Sequence, residues 1–592
     1  MPTSSHESRY SHARIRRISL LMPVLALMIF PPGMFTKDPA LSAHHNSQVL
    51  LENMTLEEKV GQLFLITIYS QTFDQADRAL IADVLPGGVV LFPHNLGNPQ
   101  QITQFVNALQ DHALTVGPGI PLFVAIDQEG GRVTRLNDGF TRFPPVLMVG
   151  ATASYDDAVM IGQAMGREMA AVGINMNLAP VADLQNPIQD STYTQVLYRR
   201  TISSDPELVG RLAGGLVVGM REEGVIGVLK HYPGHGAAIQ DSHNELPEVN
   251  LPLSEVESTA LESFNVAIEN GAQAVMLGHV YYPALDPDIR RPATLSPPVI
   301  AHLRQSVGFS GLTISDAMDM GAILKERTLS EAIIEALNAG IDMIAFGPHV
   351  TAQEQRIAIA NVVQAAYAGV IPEARLDEAV TRALTIRQQY GLMAWSPLEP
   401  HTASARLLLD QHQNDLLQLA LDSVTVLDNT QELLPLRAQS QSVLVLYPVG
   451  YEDIDTECRS LDPGSTMVGF SYTPTEWELS NVAQLVSRAD VVVAFVEDLV
   501  KNNQQRRLIW ELPPEKTVAV AMRSPYDWEL LPVPLSTVVL TYDSTPATHV
   551  AACRVLYGTV RAKGQLPVAV GPYEVGTGWT PTTQNAAARV RD

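Results

Sequence analysis

Residues 206–243 read PELVGRLAGGLVVGMREEGVIGVLKHYPGHGAAIQDSH. Pro206–Glu223 carries a helical pattern. Gly224 follows where a C′ glycine ends a helix. Ile226–Leu229 is then a short, wholly apolar run, as a buried parallel strand requires, and it opens into a polar loop. Outward from this stretch the same unit recurs. Further strands are expected at Gln62–Ile68, Gly88–Phe92, Leu122–Ile126, Ile174–Leu178, Ala274–Leu277, Leu312–Ile314 and Met343–Phe346. Helical patterns lie between them at Ala158–Val172, Glu255–Asn270 and Ser330–Ala339, with Gly173, Gly271 and Gly340 at helix ends. Eight strand–helix alternations over residues 51–392 predict an α/β fold, a (β/α)8 TIM-type barrel, with an open doubly wound sheet as the alternative.

Around Trp395–Pro400 the pattern breaks, and residues 393–404 read as a linker. Residues 405–592 form a second, smaller unit. A helix is expected at Leu407–Leu421 and strands at Ser423–Leu427, Ser442–Leu446, Val491–Phe495, Thr537–Thr541 and Leu566–Val570. This is the pattern of an α/β sandwich.

Composition narrows the function. The chain has 592 residues, 46% hydrophobic and 17% charged, enough for a sizeable core. Its 63 acidic against 39 basic side chains give a net charge of -24, which repels phosphate backbones and argues against nucleic acid as a partner. The two cysteines, Cys458 and Cys553, allow one bridge and no four-ligand zinc site. Residues 1–50 hold a leader. Arg14, Arg16 and Arg17 precede an apolar stretch from Ile18 to Phe30, closed by Pro31-Pro32. A basic segment before a short apolar one is the layout of an export signal. Leu41-Ser42-Ala43 is a poor cleavage site, so cleavage and retention as an N-terminal membrane anchor both stay open.

Four expected strand ends carry dense polar clusters. Asp127-Gln128-Glu129-Gly130-Gly131-Arg132-Val133-Thr134-Arg135 follows strand three. Its paired glycines permit a sharp turn, and Asp127 and Arg135 flank it, either facing one pocket or bracing the loop as a pair. Lys230 to His243 holds three histidines and a lysine. A metal pair at His231 and His235 is disfavoured, because Pro233-Gly234 breaks any helix between them. Asp241 and His243, two apart in a loop, suit a proton-transfer dyad in which the carboxylate stabilises the charged imidazole. Ser315-Asp316-Ala317 ends strand seven and places a carboxylate at the barrel mouth, where it can act as a nucleophile. Asp319 reads as an early-turn helix residue favoured by the dipole. In Tyr198–Pro206, Ser204 or Asp205 caps the next helix, and Arg199 and Arg200 ahead of it are either part of a site or mere surface charge. Phosphate-loop, dinucleotide and Gly-x-Ser-x-Gly patterns are absent.

Together these segments resemble glycoside hydrolase family 3, in its β-N-acetylglucosaminidase branch, from about Thr55 to Leu392. The second unit is more weakly similar to that family's C-terminal sandwich, through Ser423–Asn429, Leu433–Leu436 and Gly564–Val568. The resemblance implies a retaining β-N-acetylhexosaminidase that acts on N-acetylglucosamine-containing carbohydrate, from peptidoglycan or chitin, with no metal and no organic cofactor. It implies Asp316 as nucleophile, His243 as acid and base, and Asp241 orienting His243. Asp127, Arg135, Arg200, Lys230 and His231 would bind the sugar, with Arg200 preferred over Arg199 by alignment to the family's arginine. The alternatives are a phosphorylase or a β-glucosidase of the same family, and a non-catalytic cell-wall-binding protein on the same fold. The β-glucosidases take their acid/base glutamate from the second domain, whereas here Asp241-Ser242-His243 stands in the barrel.

Overall fold

The computed structural model describes residues 48–185, 197–532, 535 and 537–579. The leader and its candidate cleavage site lie outside them. All eight expected barrel strands are present: β1 Phe64–Thr67, β2 Gly88–Leu91, β3 Phe123–Ile126, β4 Met176–Asn177, β5 Ile226–Tyr232, β6 Ala274–Leu277, β7 Leu312–Ser315 and β8 Ile344–Ala345. They pair in parallel in the order β7-β6-β5-β4-β3-β2-β1-β8. A parallel bridge between Ile314 and Met343 joins the ends, with Ser315 N–H donating to Met343 O at 2.9 Å. The sheet is therefore a ring, not an open doubly wound sheet.

Alternation along each strand sets the two sides. Phe64 and Ile66 face the helical shell, while Leu65 joins Val90, Met176 and Ile314 in the lumen. Helix Glu373–Gln389 closes the lumen at the strands' N-terminal end with Ala383 and Ile386. Beside them the fully buried Arg387 donates to the carbonyls of Gly87 (2.6 Å) and Pro121 (2.9 Å) and lies over the Phe123 ring. The expected helix-ending glycines Gly173, Gly224, Gly271 and Gly340 all have positive φ. One expected helix differs. Glu255–Asn270 is two helices, Leu253–Ser258 and Ala260–Glu269, separated where Thr259 adopts φ -125 and ψ -93.

The second unit is a six-stranded sheet: β9 Thr425–Asn429, β10 Val443–Pro448, β11 Thr466–Phe470, β12 Val491–Val496, β13 Thr517–Ala521 and β14 Thr537–Leu540. Its order is β11-β10-β12-β13-β14-β9, parallel except for β9 against β14. β11 and β13 were not among the expected strands. Conversely, Leu566–Val570 is not a strand. Pro567 has no N–H for a ladder, and its carbonyl accepts instead from Ser203 Oγ (2.5 Å) and Ser204 N–H (3.2 Å) of the barrel. Cys458 and Cys553 form a disulfide between helices Glu452–Leu461 and Pro546–Leu556. The segment between the units is tied to the barrel, since Leu398 exchanges two hydrogen bonds with Asn107.

Candidate active site

The strands' C-terminal ends surround a cavity of about 830 Å³. Asp127, Arg135, Arg200, Lys230, His231, His243 and Asp316 all line it. Seven of the eight expected site residues, drawn from β3, β5, β7 and the intervening loops, thus converge on one space. The eighth, Asp241, stands behind His243.

Asp316 follows β7 directly. Its amide donates to Leu277 O on β6 (3.0 Å), and its carboxylate accepts the Ala317 amide (2.8 Å). Burial alone would raise this carboxyl, but His231, His279, the Ala317 amide and Lys230 outweigh it and hold its pKa below the ordinary value. The surroundings thus favour the carboxylate form of Asp316. His243 Nδ1 lies 2.7 Å from Asp241 Oδ1, leaving Nε2 for another partner. The same carboxylate oxygen accepts the His243 amide at 2.9 Å. Burial raises the Asp241 carboxyl, but the hydrogen bonds from His243 more than offset it and lower its pKa. The dyad is largely open to solvent, His243 with 61% of its side chain exposed.

The opposite wall is an ionic cluster. Lys230 Nζ contacts Asp127 Oδ1 (2.8 Å) and Glu129 Oε1 (2.7 Å). Arg200 grips Glu129 with Nε and Nη2, each at 2.8 Å, the two-pronged geometry that suits a guanidinium. Arg135 Nη2 is 3.9 Å from Asp127 Oδ2, and both residues line the cavity, so the two form a pair and face one pocket. Gly130 and Gly131, at φ +90° and +57°, make the turn that brings them there. The His231 amide and Nδ1 both point to the buried Asp183, with Nδ1 at 2.7 Å.

Four readings change or gain partners here. Arg199 is not surface charge. It is 7% exposed and runs into the second unit, donating to Tyr542 O (2.9 Å) and facing Asp543 (3.6 Å). Arg200 beside it turns the other way, into the cavity, where the family resemblance places it. Asp205, rather than Ser204, caps helix Pro206–Glu222. Asp319 precedes helix Gly321–Leu324 rather than lying in it, lines the cavity, and accepts the Gly347 amide at 2.9 Å.

Glu129, Asp183 and His279 are groups that sequence reasoning passed over. Glu129 lay within a quoted motif. Asp183 had a weaker signal, an acid five residues beyond the apolar run of strand four. Among the described residues there is no cluster of His, Cys, Asp or Glu arranged to hold a metal ion.

Comparison with known proteins gives a consistent picture. The model of the glycosyl hydrolase family 3 N-terminal domain matches residues 55–386. A β-hexosaminidase A from Pseudoalteromonas piscicida is 28% identical across 82% of this chain and 89% of its own length. A β-hexosaminidase from Nitrosomonas eutropha is 33% identical across 47% of this chain and 79% of its own. Among solved structures, a glycoside hydrolase family 3 β-N-acetylglucosaminidase from Paenibacillus sp. str. FPU-7 superposes with a TM-score of 0.73. It shares 29% identity and covers 87% of this chain and 99% of that one.

Proposed function

The chain belongs to glycosyl hydrolase family 3, and from that premise we propose that it is an exo-acting, retaining β-N-acetylhexosaminidase. It releases terminal β-linked N-acetylglucosamine from cell-wall or chitin-type oligosaccharides. The observation that carries this reading is the cavity shared by a carboxyl group, Asp316, and an imidazole, His243, whose Nδ1 is held by Asp241.

In the first step Asp316 attacks the anomeric carbon, and the bond to the leaving oxygen breaks as that oxygen takes a proton from His243. A glycosyl ester on Asp316 results. In the second step His243 takes a proton from water, the water oxygen attacks the anomeric carbon, and the Asp316 carboxylate leaves. Two displacements on one carbon restore its configuration. The usual retaining pair is two carboxyl groups. Here an imidazole replaces one of them: as the imidazolium, which Asp241 stabilises, it gives up its proton in the first step, and as the neutral base it takes one from water in the second. Lys230, Arg200, Arg135 and His231 offer donors to the sugar's hydroxyl and carbonyl oxygens, and Asp127 offers an acceptor. The exposed position of His243 suits protonation of a leaving group that departs to solvent.

Export is part of the proposal. The arginine-led leader supports it, and so does the Cys458–Cys553 bridge, since disulfides persist in oxidising compartments.

The test is turnover of a chromogenic N-acetyl-β-glucosaminide beside the matching β-glucoside, with and without phosphate. The proposal expects faster cleavage of the N-acetylated substrate and free sugar as product. Faster glucoside cleavage, or sugar phosphate as the main product, would overturn it in favour of a glucosidase or a phosphorylase.

A further inference from the structure

The acid/base dyad has little packing of its own. His243 is 61% exposed and Asp241 36%, yet general acid catalysis needs the imidazole within hydrogen-bond reach of the leaving oxygen. What fixes it must therefore act on the loop backbone, and the structure shows where. Gly321 N–H donates to His243 O at 3.0 Å, and Ala322 N–H donates to Ser242 O at 3.1 Å. Both donors lie on the segment that begins with Asp316.

That segment is anchored on both sides. Asp316 N–H reaches Leu277 O (3.0 Å), Met318 N–H reaches Ala345 O (3.1 Å), and the Asp319 carboxylate holds the Gly347 amide. Contact at Gly321 is too close for any side chain. A Cβ there would lie 2.7 Å from the carbonyl oxygens of both His243 and Asn244. Gly321 is not among the residues with positive φ, so what it supplies is closeness of approach rather than backbone freedom. A second tie comes from the other side: His235 Nε2 lies 3.0 Å from Ser242 Oγ, and the His235 amide donates to Asp183 at 2.6 Å.

We propose that Gly321 is a positioning residue for the acid/base step, docking the Asp241–His243 loop onto the segment that carries the nucleophile, with the His235–Ser242 contact as a second strut. The inference rests on the role given to His243 above. It goes beyond that role in assigning the dyad's placement chiefly to Gly321, which does not line the cavity. It also separates two effects that a merely structural glycine would not. With a Cβ at 321 the loop must retreat, while Asp316, five residues earlier and tied independently, stays in place.

The experiment is Gly321→Ala beside His243→Ala, each assayed on diacetylchitobiose and on a dinitrophenyl N-acetyl-β-glucosaminide, with melting curves to confirm folding. The dinitrophenolate leaves without protonation, so its kcat/KM reports attack by Asp316 alone. For Gly321→Ala, kcat/KM on diacetylchitobiose should fall about 10–100-fold, the scale expected of a reacting group displaced by about 1 Å. On the activated substrate kcat/KM should hold, while kcat and KM fall together because the covalent intermediate now waits for a base. Azide, which needs no base, should restore kcat and yield the glycosyl azide. Ser242→Ala, which adds no bulk, should shift the same parameters in the same direction by less, and it stands in if Gly321→Ala does not fold.

Equal losses on both substrates, or no loss on diacetylchitobiose, would overturn the positioning role. If His243→Ala itself shows no dependence on leaving group, the acid role fails first, and the positioning role with it.

Discussion

Glu129 sets both carboxylate oxygens on Arg200, Oε2 against Nε and Oε1 against Nη2, each at 2.8 Å. Lys230 closes on the same Oε1 at 2.7 Å. One buried acid thus orders two of the cations that line the cavity. Burial would raise its carboxyl, but Arg200 and Lys230 prevail and hold its pKa well below the ordinary carboxylate value.

The sign of the resulting pH dependence follows. A carboxyl whose folded pKa is depressed adds stability that is present above its unfolded value and lost as pH falls toward the folded one. Glu129→Gln removes that contribution and leaves Arg200 and Lys230 facing a neutral amide. Breaking a buried ion pair costs about 3–5 kcal/mol. Denaturant unfolding at neutral pH should show a loss of that order. The gap from wild type should narrow as the pH drops below about 4.5, where the unfolded carboxyl takes up its proton. A pH-independent gap would contradict the ionic account.

Asp241→Asn keeps a hydrogen-bond partner for His243 but removes the charge that favours the imidazolium. On an unactivated disaccharide the basic limb of the kcat/KM profile should move to lower pH, and the maximum should drop by about 10–1000-fold. The activated aryl substrate should show little of this in kcat/KM. An unmoved basic limb would mean that Asp241 shapes the loop without tuning the acid.

The Cys458–Cys553 bridge spans 95 residues of the second unit. Removing a native disulfide typically costs about 2–5 kcal/mol, largely by freeing the unfolded chain. A Cys458→Ser, Cys553→Ser double variant should melt at lower temperature and be insensitive to reductant, whereas wild type should lose stability when reduced. Activity well below the melting transition should be unchanged, because neither cysteine lines the cavity. Free thiols titrating in native, unreduced protein would contradict the pairing.

The barrel was readable because its strands are short, mostly apolar runs, four of which end in dense polar clusters, and the eight-fold recurrence left few folds to choose from. β11 escaped because it is a half-exposed edge strand, with Thr466 and Gly469 both exposed. Pro567 misled in the opposite direction, since an apolar run predicted a strand that its missing N–H could not support. Within the site, Asp316, His243 and Asp241 stood out because the chemistry is local to three or four residues. Glu129 did not, because its meaning depends on Arg200, 71 residues away. Arg199 and Arg200 are indistinguishable as letters. The backbone at Arg199, at φ +59°, belongs to a turn that sends one into the second unit and the other into the cavity.

The central claim is that Asp316 forms a bond to the sugar. The direct measurement is incubation with a 2-fluoro N-acetylglucosamine-type mechanism-based inactivator, followed by mass spectrometry of the digested protein. The account predicts a single glycosyl adduct on the peptide containing Ser315-Asp316-Ala317, formed in wild type and absent in Asp316→Ala. Strong inhibition by a thiazoline mimic with no adduct on any peptide would contradict it, because the acetamido group and not Asp316 would then be the nucleophile.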